Sequence, residues 1–215
     1  MFKQLFVVFL LAVSSLQAQS AALMGFEDSY MLMTETGEYN QEMMFNYAPS
    51  IHHAFGIEVM RMSPKGTRAT TMTGINYTGL IKRWNMPSAQ ANIWMMGSVG
   101  EARGMHNGFS YSPSVQFDYE TARLYFLAKM RMVRAPGMIN DNAAIQGGFS
   151  FYETDFDETQ PWFVLEAKAT KNYNPSFQVT PALRLIHQSY FLEFGVTNPF
   201  DKSERAPRLN LMFTY

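Results

Sequence analysis

Methionine is the residue type in this chain with the most unusual chemistry to offer. There are 17 Met and no Cys among 215 residues, so any soft-donor site has to be built from thioethers. Met31-Leu-Met33 and Met60-Arg-Met62 repeat the same spacing. On a β-strand, residues two apart point to one face, and their side chains stand about 7 Å apart. Met44, Met96 and Met212 fall on the polar phase of their own segments, where an apolar residue is least expected. Soft thioethers select soft ions such as Cu(I) or Ag(I), while Met also fills irregular apolar space. The expectation is a set of inward soft-metal contacts at Met31, Met33, Met44, Met60, Met62, Met96 and Met212, with no other cofactor. Met130 and Met132 share a phase with Leu124 and Phe126 and read as ordinary apolar surface.

Other residues carry weaker chemistry. His187-Gln-Ser189 has the His-x-Ser spacing by which a His could activate a Ser nucleophile, and it resembles the arrangement in the lipid A deacylase barrels. Glu193 is its one nearby acid. This makes an outer-membrane lipid hydrolase an alternative reading, although the expectation is a non-enzymatic protein. His52-His53 reads as a solvated turn, Met105-His106 tops an extracellular loop where a lone pair is seldom a copper site, and the carboxylates of Glu153 to Glu158 read as an acidic turn. The 17 basic and 18 acidic residues nearly cancel, which argues against a nucleic-acid partner.

The elements that position these residues are strands. Leu209, Leu211, Phe213 and Tyr215 alternate with Arg208, Asn210, Met212 and Thr214. Val115, Phe117 and Tyr119 alternate with Ser114, Gln116, Asp118 and Glu120 in the same way. Period two is the signature of a strand with two unlike faces. Turn chemistry cuts the chain at Glu35 to Glu38, Ala48 to Ser50, Pro64 to Gly66, Asn85 to Ser88, Arg103 to Gly108 and Glu120 to Ala122. Further breaks fall at Ala135 to Asn142, Thr154 to Pro161, Asn172 to Ser176, Gln188-Ser189 and Asn198 to Ala206. About 12 strands of about 9 to 13 residues remain, long enough to cross a bilayer at a tilt.

The start of the chain has the layout of a secretory signal: Lys3, then an apolar run from Leu5 to Val13, then small residues. We read residues 1–20 as this leader, with cleavage within about 18–22, and 21–215 as one barrel domain. The expected fold is all-β, an antiparallel transmembrane β-barrel in the bacterial outer membrane with both termini periplasmic. Its outward apolar face would meet outer-membrane lipid. Its ending, Leu209-Leu211-Phe213-Tyr215, resembles the signal read by the barrel assembly machinery. Glu42, Glu58, Lys82, Asp118, Lys129, Arg131, Glu166, Lys168, Arg184, Glu193 and Arg208 take the inward phase. Both signs are present, so a narrow lumen closed largely by ion pairs is expected. A structural or small-solute channel without a metal role is a further alternative.

Several segments are distinctive beyond any barrel pattern: Lys82 to Asn92, Phe117 to Arg123, Phe149 to Glu153 leading to Thr159-Gln-Pro-Trp162, and Thr180 to Ile186 followed by Tyr190 to Val196. Together they resemble an uncharacterised family of small proteobacterial outer-membrane β-barrel proteins often encoded beside copper and heavy-metal efflux systems. The resemblance implies a role in metal resistance or efflux; by the expected topology several of these segments straddle periplasmic turns, where a periplasmic efflux partner could dock. It brings no assigned active site.

Overall fold

The computed structural model describes residues 26–64, 66–155, 157–171 and 175–215; the expected leader lies outside them. Every element among these residues is a strand: β1 (Ser29–Thr36), β2 (Asn40–Ser50), β3 (His53–Met62), β4 (Thr70–Met86), β5 (Ala89–Arg103), β6 (Gly108–Tyr111) and β7 (Ser114–Thr121). There follow β8 (Leu124–Ala135), β9 (Met138–Ser150), β10 (Gln160–Lys171), β11 (Phe177–His187), β12 (Tyr190–Thr197) and β13 (Ala206–Thr214).

β6 and β7 act as one strand. Val99 of β5 faces Tyr111 and Met96 faces Ser114, a single unbroken register. Pro113 interrupts the ladder because it has no N–H to donate, while its carbonyl still accepts from Met132 N at 3.0 Å. The barrel therefore has 12 strands, each antiparallel to its neighbours. It closes where β1 pairs with both β2 and β13, Met33 lying opposite Met44 on one side and Met212 on the other. Closure leaves the sheet without a free edge strand, which strands facing lipid require.

Period two holds nearly everywhere, with apolar residues out and polar residues in. Ile57, Ile75, Met130, Ile145, Leu183 and Phe194 all stand exposed on the outer face. Both Phe26 and Tyr215 lie at one end, called here the near end. Aromatic rings gather on its outer rim: Tyr30 stacks on Phe45 and on Tyr215, each at 5.8 Å, and Phe55 meets Tyr77 at 5.2 Å. Amphipathic aromatic girdles of this kind sit at membrane–water interfaces.

Two expectations need correction. Lys82 does not face inward. A β-bulge at Ile81 lets Leu80 pair with Trp94 and Lys82 with Ile93, which flips the phase. Arg83 takes the inward place, its Nε donating to Asn92 Oδ1 at 2.8 Å. The turn expected from Ala135 to Asn142 is also shorter. β9 already begins at Met138, opposite Ala135, and Gly137 takes the left-handed φ of 72°. Asn140 and Asn142 look like loop residues by type, but they are polar because they face the lumen.

Candidate functional site in the barrel lumen

The lumen is built in two unlike halves. Toward the near end it is filled. Ala48, Ala54, Leu80 and Trp94 form one apolar cluster, and Tyr125, Leu127, Trp162, Val164 and Ala182 form another. Trp94 and Trp162 are each 1% exposed, the largest fully buried side chains of this half. The Trp94 indole is fixed by its Nε1, which donates to Asp118 Oδ2 at 2.6 Å, while Asn92 Nδ2 donates to Asp118 Oδ1 at 2.7 Å.

Above this floor, buried ion pairs cross the lumen. Arg131 on β8 reaches Glu42 at 2.7 Å and Glu58 at 2.5 Å on the opposite strands, and also donates to Ser112 Oγ at 3.1 Å. Space for that reach comes from Gly74 and Gly100, which face each other in register between Glu58 and β6. A Cβ on either would meet the neighbouring strand's carbonyl oxygen. A second network joins β10 to β13. Arg184 donates to Glu193 from Nε at 2.9 Å and from Nη2 at 2.7 Å. Arg208 donates to Glu193 Oε1 at 2.7 Å and to Glu166. The Arg184 guanidinium also lies between the Tyr125 and Phe191 rings, at 4.6 and 4.8 Å. Within these two networks each Arg is met by carboxylates, which is the condition for tolerating its charge in a low-dielectric shell.

Toward the far end the lumen opens into a cavity of about 220 Å³. Its lining runs from Gly37 to Asn40 at the far rim down to Gln116, Tyr125 and Arg184 at the floor. The two walls differ in chemistry. β8, β10 and β13 supply Lys129, Arg131, Lys168 and Arg208, whereas β1, β3 and β13 supply Met33, Met60, Met62 and Met212.

All seven sequence-selected methionines lie on the inward phase, and the structure sorts them. Met212, Met33 and Met44 are direct cross-strand neighbours in one row over three strands, and Met33 and Met212 face the cavity. Met60 and Met62 pack with Met72, Ala102 and Val133 in an apolar cluster near the far end. Met72, directly opposite Met60, was missed by the sequence reading; the polar phase of Asn76 and Thr78 on the same strand was the signal for it. Met31 is paired with Asn46 and Met96 with Thr78, both apart from the row.

The other candidates do not assemble. His187 Nδ1 pairs with Thr159 Oγ1 at 3.2 Å, and no hydrogen bond joins His187 to Ser189 among the described residues. The Glu193 carboxylate, expected as a possible orienting acid for His187, is taken by Arg184, Arg208 and Asn210. His53 Nδ1 lies 2.8 Å from Tyr77 Oη at the near rim. Glu153, Asp155, Asp157 and Glu158 are exposed in the turn between β9 and β10. Among the described residues no group of three His, Cys, Asp or Glu could hold a metal ion.

No family model matches the sequence, and no curated protein matches it. Solved structures do. The KdgM porin, determined alone and in complex with disordered oligogalacturonate, is 13% identical with a TM-score of 0.50, covering 87% of this chain and 99% of its own. LpxR from Salmonella typhimurium is 7% identical with a TM-score of 0.47, over 87% of this chain and 99% of its own. The likeness to the KdgM porin concerns the fold: the chain is a closed antiparallel β-barrel of 12 strands.

Proposed function

We propose that this barrel binds soft metal ions, Cu(I) or Ag(I), on lumenal thioethers and serves copper or silver resistance, as a receiving site or in support of an efflux machine. The single observation that carries this reading is the row Met212, Met33 and Met44, three thioether side chains in register on adjacent strands. Directly opposed cross-strand residues bring their Cβ atoms to about 5 Å, so three flexible side chains can converge on one ion. Two of the three line the cavity that opens at the far end. The protein sits in the outer membrane with its near end, and so its termini, in the periplasm. Its last strand serves recognition by the assembly machinery, and the near rim is the surface open to a periplasmic efflux partner.

Titration of the refolded barrel with Ag(I) tests the site directly. The wild type should take up the ion, and Met33→Leu with Met44→Leu and Met212→Leu should weaken binding by at least about tenfold while leaving the fold intact. A strain lacking the protein should become sensitive to copper or silver, and the triple variant should fail to restore tolerance. Unchanged affinity in the triple variant would sink the reading.

A second reading, a small-solute barrel in which Met is packing, is favoured by Met60, Met62 and Met72. These three pack together in an apolar cluster with Ala102 and Val133, where a thioether acts as adaptable filler.

A further inference from the structure

The charges lining the cavity are not all matched. Arg131, Arg184 and Arg208 are each held by carboxylates. Lys129 and Lys168 are not: among the described residues neither makes an ion pair or hydrogen bond, and both line the cavity. They sit on one inward row, each directly opposite Ala144 of the intervening β9. Two strand spacings separate their backbones, about 10 Å, and the Ala144 methyl leaves the space between them clear. From β1, Glu35 enters the same cavity, also without an ion pair or hydrogen bond. It stands in the field of Lys168, Arg208, Lys129 and Arg131, and its cross-strand neighbour Glu42 is already committed to Arg131.

A pocket with two free ammonium groups on one wall and a free carboxylate on the other is complementary to a ligand that carries both signs. We propose that the cavity binds a small zwitterion of the α-amino-acid type, its carboxylate on Lys129 and Lys168 and its ammonium on Glu35. The size agrees. About 220 Å³ falls below the roughly 300–1,000 Å³ of sites for drug-sized ligands, which suits a molecule of a few heavy atoms. The near half below the cavity is packed with Trp94, Trp162 and their apolar neighbours, so the cavity's approach is from the far end.

Calorimetry on the barrel in a non-ionic detergent, with a chelator present so that no metal occupies the thioether row, provides the test. Free glutamine is the probe, with N-acetylglutamine and glutamine amide each keeping one charge. Glutamine should bind, and each single-charge analogue should bind at least about tenfold more weakly. Lys129→Gln with Lys168→Gln should abolish the preference over the amide, and Glu35→Gln the preference over the N-acetyl form. Heat-dependent gel migration confirms that each variant has folded. Phosphoethanolamine, tested alongside, distinguishes a lipid headgroup from a free amino acid as the source of the zwitterion, according to which binds more tightly. N-acetylglutamine binding as tightly as glutamine would reduce the site to an anion site and overturn the proposal. So would the absence of binding by every probe.

Discussion

Arg131 holds two carboxylates from opposite strands, Glu42 and Glu58, so removing it leaves two buried anions facing each other. Arg131→Met should cost about 3–5 kcal/mol of stability, because an unpaired buried charge loses more than the pair contributed. Urea-gradient unfolding of the refolded barrel measures it. Tyr39, in the turn between β1 and β2, is a case outside the membrane. Its phenol is pushed up to about 12, first by its hydrogen bond to Glu38 and then by burial. A raised folded value means that the contribution of this bond is complete below about pH 10 and is lost as pH rises through about 12. Alkaline absorbance titration should show the late phase smaller by one tyrosine in Tyr39→Phe than in the wild type. The residue types and phases of the lumen were legible in the sequence, since alternation assigns a face to each. Which Arg meets which Glu was not, because partners such as Arg131 and Glu42 lie 89 positions apart and meet only across a closed lumen.

At the scale of the element, the strands followed from turn chemistry and alternation, and the misreadings have local causes. A bulge at Ile81 adds one residue to β4 and transfers the inward role from Lys82 to Arg83. A single added residue carries no compositional mark, so period two cannot reveal it. Pro113 divides one strand into β6 and β7 without shifting its register. Gly74 and Gly100 matter at this scale because they allow β4 and β5 to approach beside the Arg131 crossing. Gly100→Val should clash with the Thr73 carbonyl and lower the yield of folded barrel, visible as lost heat-dependent gel migration. Gly147, where an added Cβ has open space, is the control: Gly147→Ala should fold normally.

For the whole molecule, the two halves of the lumen decide what can pass. Trp94 and Trp162 are packed into the near half, while the cavity lies in the far half. Planar-bilayer recordings should therefore show little conductance from the wild type. Trp94→Ala combined with Trp162→Ala should raise it by roughly tenfold, since interior side chains are what fill a barrel of this size. Equal conductance in both proteins would mean that the indoles are not the stopper.

The sequence by itself determined the barrel, its strands and the inward phase of seven methionines, because a strand's two faces are written in its period and lipid enforces the apolar one. It also showed that charges of both signs share the lumen. Tertiary structure alone decided that Met212 joins Met33 and Met44 in one row while Met60, Met62 and Met72 pack among themselves. It also decided that, among the described residues, Lys129, Lys168 and Glu35 make no ion pair or hydrogen bond. Closure and stagger set those relations. They depend on the register of every strand around the ring, a sum that no single segment contains.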